Sequence, residues 1–222
     1  TGLIKSDKKY NDLIAAWNFD GDSKEIFSSI PLKTNTGNVT YTIDRNLEKE
    51  KALLVKKEQF LSGMNELLPQ GNSPRTITFW FRKNDCGNSD ITIIRFGNTS
   101  KPRGSMNIRV RPCAEWGDYM TTSFTPDLAG KHKYRDALEG DFYSGLWNHM
   151  AITYNKGVVK AYLNGLSLKN YPPATSSPID TASGEIIVGW VAASNMEEES
   201  EISIDDIRVF SSSLNQRRIQ LI

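Results

Sequence analysis

The sequence predicts an all-β chain, folded as a two-sheet antiparallel β-sandwich that closes on a short C-terminal helix. Three observations carry this. Short segments rich in β-branched and aromatic residues recur along the whole chain. Turn residues separate almost all of them. Only the last residues, Asn215 to Leu221, read as helix, and they make one or two turns.

The elements follow in order. Leu13–Phe19 opens the series and Val39–Ile43 follows. Arg75–Arg82 alternates, placing Ile77, Phe79 and Phe81 on one face and Thr76, Thr78 and Trp80 on the other. Ile91–Phe96, Met106–Val110 and Met120–Phe124 come next. Residues 131–143 are the longest stretch without a strand pattern. Trp147–Tyr154, Val158–Leu163, Ile186–Val191 and Ile202–Phe210 complete the set. Two turns carry geometry: Asn155-Lys156-Gly157 closes a hairpin from Trp147 to Leu163, and Asn164-Gly165 returns the chain to Leu166. No internal repeat is visible, so residues 1–222 read as one domain, with 1–12 an extended N-terminal segment.

Composition excludes several classes. Lys plus Arg is 27 and Asp plus Glu is 26, a formal charge of +1. That balance predicts no basic field for nucleic acid and no polybasic membrane anchor. The two cysteines, Cys86 and Cys113, and the two histidines, His132 and His149, lack the closely paired spacing of the usual four-ligand zinc frameworks. No apolar run approaches the roughly 20 residues of a membrane span. The chain starts at Thr1 without a signal peptide, which reads as a trimmed or processed chain.

Several strings, taken in order, resemble a known family. They are Trp17-Asn18-Phe19-Asp20-Gly21, Val39 to Arg45, Ala52-Leu53-Leu54-Val55, Ile77 to Phe81, Trp147 to Tyr154, Val159 to Gly165 and Ser203 to Phe210. Their order and spacing resemble the laminin-G-like, concanavalin A-like lectin/glucanase domains of secreted bacterial proteins, from about Leu13 to the C-terminus. The resemblance implies a jelly roll whose ligands sit on a concave face or in rim loops. It leaves function open, because the fold hosts lectins, adhesion modules, lyases, hydrolases and spacers.

Candidate sites follow. The glucanase branch carries acids at alternating positions of one strand, as a glycosidase needs two carboxylates across the bond. Glu201-Ile202-Ser203-Ile204-Asp205 is the nearest match, but Ser203 replaces the central acid. No catalytic residue is assigned. His149 reads as packed and His132 as part of a charged loop. The resemblance also implies calcium, held by Asp20 and Asp22 in a tight turn with Asp205 approaching from the last strand. An Asx-turn without metal is the alternative. Carbohydrate binding needs exposed rings beside polar groups; Trp116 and Tyr119, flanked by Glu115 and Asp118, form one candidate platform, and Trp190 is another. Trp17, Trp80 and Trp147 read as core or sheet packing. If Ile91–Phe96 pairs with Met106–Val110, Cys113 comes close to Cys86 and a disulfide is expected, suiting an oxidising compartment.

The expectation is an exported, non-catalytic binding module for a glycan or a cell-surface partner. An atypical glycoside hydrolase or polysaccharide lyase is one alternative. A structural spacer of a larger surface protein is the other.

Overall fold

The computed structural model describes residues 11–28, 31–56, 58–64, 66, 68–83, 91–101, 103–114, 117–124, 135–139, 145–168, 170–171, 179–191 and 201–222; for 111–114, 117–124, 135–139, 170–171 and 191 it describes the backbone alone. The strands are β1 (Leu13–Trp17), β2 (Lys33–Thr34), β3 (Thr40–Thr42), β4 (Ala52–Val55), β5 (Leu61–Met64), β6 (Arg75–Lys83), β7 (Ile91–Gly97) and β8 (Ser105–Ala114). They continue as β9 (Gly117–Phe124), β10 (Arg135–Glu139), β11 (Asn148–Asn155), β12 (Val158–Leu163), β13 (Leu166–Ser167), β14 (Asn170–Tyr171), β15 (Glu185–Val191) and β16 (Ile202–Phe210), before helix α1 (Gln216–Ile219). One sheet runs β13-β12-β11-β6-β16-β4-β3, with β1 also paired to β16. The other runs β14-β10-β9-β8-β7-β15-β5-β2. The chain is thus the antiparallel β-sandwich the sequence predicts.

Strand alternation builds the core. On β6, Ile77, Phe79 and Phe81 turn inward, and the register sets Ile77 between Ile152 and Val209. They pack with Ile91, Ile93, Phe96, Met106, Ile108, Ile186 and Val188 of the second sheet in one buried cluster. A separate cluster of Leu13, Ala16, Ala151, Tyr162, Phe210, Leu214 and Ile219 lies on the first sheet's other face, beneath the C-terminal segment. Asn215 caps α1 by accepting from Arg218 N at 3.0 Å.

Arg75 is wholly buried at one end of the core. Its guanidinium lies over the rings of Tyr154 and Phe96, and donates to Thr181 Oγ1 (2.6 Å), Gly71 O (2.7 Å) and Ser73 O (3.0 Å). Burial lowers its pKa to about 10, so it stays charged at neutral pH.

Both hairpin turns form as the dipeptides predict. Asn155 pairs with Val158 across Lys156-Gly157, at φ 47° and 86°. Leu163 pairs with Leu166 across Asn164-Gly165, at φ 49° and 78°. Two consecutive positive φ values match the twist of the flanking strands.

Three features differ from the sequence reading. Strand β10 lies inside the stretch that lacks a strand pattern. Arg-Asp-Ala-Leu-Glu has little β-propensity, yet its backbone pairs with β9 across five positions. β1 ends at Trp17, because Phe19 takes φ 52° and turns the chain out of the sheet. The short strands β2, β13 and β14, two residues each, carry too little sequence to show a period.

The backbone of Ala16 in β1 is engaged on both its polar groups. Its N–H donates to Glu25 Oε1 and its carbonyl accepts from Ile26 N, both at 2.9 Å. Glu25 is buried, and its second oxygen accepts from Phe27 N and Ser28 N.

Gly189 joins the two sheets closely. It adopts φ +74°, and a Cβ there would stand 2.3 Å from Val55 Cγ2 of the opposite sheet. Gly189→Ala is therefore expected to cost about 2–4 kcal/mol, from the left-handed backbone and the overpacking together. Urea unfolding measures it. Combining it with Val55→Ala should cost less than the sum of the two singles, because one change relieves the other's clash. Strict additivity would show that the contact carries no strain.

Candidate functional site

The outer face of the second sheet carries the half-buried Trp190 beside Arg95 and is one candidate surface. Between the inward Ile94, Phe96, Met106, Ile108, Ile186 and Val188, the alternate positions face away from the core. Strand pairing aligns them in rows. One row crosses the sheet through Lys33, Ser62, Ile187, Arg95, Asn107, Ser123 and Arg135. The next runs Trp190, Thr92, Arg109, Thr121, Ala137. A third holds Arg111, Tyr119 and Glu139.

Where side chains are described, the geometry is specific. Arg95 lies 5.7 Å from the centre of the half-buried Trp190 ring, and 3.7 Å from Glu185. Burial lowers the Arg95 pKa, Glu185 opposes this, and neighbouring Arg109 lowers it further. Asn107 is 6 % exposed, and its Oδ1 has no hydrogen-bond partner. A buried acceptor left open is costly unless something donates to it. At the sheet's edge the face borders a cavity of about 690 Å³, lined in part by Trp17, Lys33, Ser62, Met64 and Glu185.

Of the predicted platform, only the backbone of Asp118 and Tyr119 is described. Tyr119 takes its place on β9 opposite Arg111, with Asp118 beside it in the strand. Ala114 pairs with Gly117, and Glu115 and Trp116 lie outside the described residues. Trp190 shares the face with Tyr119's register position. The arginine rows themselves were missed. Arg109-Val110-Arg111 shows two of them at alternating positions, but only strand pairing brings Arg95 and Arg135 alongside. Ile91 does pair with Val110, as the disulfide expectation requires. Cys86 and the Cys113 side chain lie outside the described residues.

On the first sheet the outward positions hold a different cluster. Arg45 reaches from the loop after β3 and donates to Asp205 Oδ2 at 2.6 Å and to Asp206. Arg208 lies 3.5 Å from Asp206. The Arg45 guanidinium sits 5.0 Å from the Trp80 ring centre, and Trp80 packs on His149, also at 5.0 Å. Arg82 lies over Trp147 in the same way. Trp17 is buried in the core, whereas Trp80 and Trp147 are half-buried on the outer side of the sheet. Ser203 and Asp205 are both buried here, and Asp205 is held by arginine.

The calcium donors were expected to converge, but each has a different neighbour. Asp205 is bound by Arg45, the exposed Asp22 accepts from Lys24 N in an Asx-turn, and Asp20 stands 3.6 Å from Lys51 Nζ. Among the described residues, no group of three or more His, Cys, Asp or Glu side chains is arranged to hold a metal. A cation would have to displace a guanidinium, so these residues do not fit calcium.

The comparisons agree on the fold. A model of the concanavalin A-like lectin/glucanases superfamily, of laminin G type, matches residues 60–220. No curated protein matches the chain. Among solved structures, one of botulinum neurotoxin type C, whose cell entry depends upon interaction with two ganglioside molecules, aligns with TM-score 0.70 and 13 % identity over 95 % of this chain and 50 % of that one. Domain 4 of AbnA, a GH43 extracellular arabinanase from Geobacillus stearothermophilus in complex with arabinotriose, aligns at 0.68 and 16 % over 94 % and 97 %. The botulinum neurotoxin serotype G binding domain aligns at 0.68 and 15 % over 95 % and 50 %. The chain spans about half the length of the two neurotoxin chains. It belongs to the concanavalin A-like lectin/glucanases superfamily.

The buried charges around Arg45 make stability depend on pH in two opposite ways. Burial, with Arg208 and Arg45 nearby, holds His149 down at about 4, against the pull of Asp206. The unfolded chain takes up that proton nearer pH 6.5, so this stabilisation is complete above that value and is lost as pH falls toward 4. Burial and Asp206 push Asp205 up to about 8, against Arg45. Its folded form holds a proton that the unfolded chain releases near 4, so this stabilisation is present below 4 and is lost as pH rises toward 8. Melting curves across pH 4–9 should show Asp205→Asn declining less than the parent between 5 and 8, and His149→Gln declining less below 6. Parallel profiles for all three proteins would refute the assignment.

Proposed function

We propose that this member of the superfamily is a non-catalytic, exported binding module whose ligand is a carbohydrate, displayed on a cell surface or in a polymer. The outer face of the second sheet is its site. The observation that carries this is the half-buried Trp190 ring set beside Arg95, which Glu185 approaches at 3.7 Å. An aromatic face can cover sugar C–H groups, while planar amides, carboxylates and guanidinium groups pair with hydroxyls. The sequence adds Glu115, Trp116, Asp118 and Tyr119 as further candidates, a ring-and-acid pattern suited to the same kind of ligand. The superposed arabinanase domain and neurotoxin structure are described with arabinotriose and gangliosides, and this supports a glycan over other partners. Calcium has no part in the reading. A glycoside hydrolase would need two free convergent acids; Asp205 and Asp206 are adjacent but engaged by arginines.

Export also implies that Cys86 and Cys113 are bonded. Protein made under oxidising conditions and then denatured without reductant should show no titratable thiol. Two reactive thiols would remove the bond.

Stacking on one ring contributes about 1–3 kcal/mol, by analogy with bases on aromatic side chains. In a screen of oligosaccharides by calorimetry, Trp190→Ala should weaken the best ligand about 5- to 150-fold while leaving the melting temperature nearly unchanged. Undiminished binding by the folded variant would move the site elsewhere.

A further inference from the structure

We infer that the chain carries a second binding site, on the outer face of the first sheet, and that it takes a short neutral saccharide. This site is separate from the Trp190 face and goes beyond the reading given for that face. It is a polar groove of about 520 Å³, a volume within the range of small-ligand pockets. Its floor is the outer side of the β11–β12 hairpin. Met150, Ile152 and Tyr154 turn into the core, so Ala151, Thr153 and Asn155 face outward, paired with Tyr162, Lys160 and Val158 of β12. Its wall is the chain from Ser213 to Gln216, which leads into α1.

The first ground is a pair of hydroxyls on that floor. Thr153 is 2 % exposed and Tyr162 is 6 % exposed. Both line the groove, and among the described residues neither hydroxyl has a hydrogen-bond partner. Neither oxygen is sealed from solvent, in contrast to Asn107 Oδ1. A largely buried hydroxyl with open bonding capacity is costly unless something pairs with it. Each of these can donate and accept at once, which matches the hydroxyl groups of a sugar.

The second ground is what surrounds the hydroxyls. Asn155 is exposed on the rim. Asn215 keeps its amide nitrogen free while its oxygen accepts from Arg218 N, and Gln216 keeps its amide oxygen free while its nitrogen donates to Gly165 O at 3.0 Å. Val158 and Leu214 add apolar surface for sugar C–H groups, and among the described lining residues Lys160 alone is charged. An inorganic anion or a nucleic acid would meet a single cation there. An extended peptide would find no open strand edge, since β11 and β12 are each paired on both sides. The third ground is rigidity. Thr76 Oγ1 donates to Ser212 O at 2.7 Å and accepts from Leu214 N at 2.8 Å, and Arg218 of α1 is held by Asp12 at 2.7 Å. A wall fixed in advance loses little freedom when a ligand enters.

Titration of the isotope-labelled whole chain, followed by NMR, tests this with three neutral sugars, arabinotriose, lactose and cellobiose, and two controls, sodium sulfate and a glycine–serine peptide. At least one sugar should shift the amide signals of Thr153, Asn155, Lys160 and Tyr162, with an affinity that does not change with salt. Thr153→Val and Tyr162→Phe remove the hydroxyls and nearly keep the side-chain shapes. Each should weaken that binding about three- to tenfold, and the double variant about tenfold or more. Because the hydroxyls bond to nothing in the free protein, melting temperatures should stay level or rise; a fall would give them a structural role and overturn the site. Groove signals moved only by a control, or sugar binding there that ignores the double variant, also overturn it. Sugar-induced shifts confined to Trp190 and its neighbours overturn the second site and leave the Trp190 reading standing. Shifts at the groove with none at Trp190 support the second site and remove the Trp190 reading. No shift with any probe overturns both.

Discussion

The register between β6 and its neighbours β11 and β16 governs both surfaces of the molecule. Side chains alternate with a period of two, so a slip by one residue would exchange Ile77, Phe79 and Phe81 for Thr76, Thr78 and Trp80 at every position. Burying an Ile or Phe side chain contributes about 1.5–3 kcal/mol, so a slipped sheet loses several such contributions at once. The same lock sets the polar residues. His149 meets Trp80 because Met150 meets Phe79, and Asp205 lies opposite Trp80 because Ile204 lies opposite Phe81. Recognition chemistry on the outside of the sandwich is thus specified by hydrophobic packing on the inside.

The two outer faces use charge differently. On the first sheet, Arg45, Asp205, Asp206 and Arg208 satisfy one another at short range, and the two acidic side chains are almost wholly buried. Such a group is sensitive to the loss of any one member, since the remaining charges would be stranded away from water. Asp206 takes φ 48° at the irregularity in β16 where pairing skips between Asp205 and Arg208, and this local turn places two consecutive acids within reach of one arginine. On the second sheet Arg95 and Arg109 stand on adjacent paired strands, with Glu185 3.7 Å from Arg95.

The fold was legible in the sequence, and the site only in part. Periodicity revealed the long strands, and the dipeptides at 156–157 and 164–165 located both tight turns, because each depends on nearest neighbours alone. β10 was hidden, since Arg135 to Glu139 joins the sheet through backbone pairing that side-chain patterns do not announce. Trp190 and Tyr119 were singled out as rings beside polar residues, yet the rows that hold them depend on pairing between residues far apart in the chain, such as Arg95 with Asn107 and Ser123 with Arg135. For Asp20, Asp22 and Asp205, sequence showed oxygens near one another along the fold but could not show that Arg45 and Lys51 stand closest to two of them.

The carboxylate of Glu25 has a consequence for how many copies of this protein can share a small volume. The border strands of both sheets are brief: β2, β13 and β14 have two residues and β3 has three. The five-residue β1 is the longest strand with a single sheet partner, and the N–H and carbonyl of its Ala16 are already occupied by Glu25 and Ile26. A neighbouring chain seeking to add itself by strand exchange finds no run of open backbone groups there, and a buried negative charge where it would dock. Among the described residues, the longest border strand is therefore closed at its centre to strand addition by another copy.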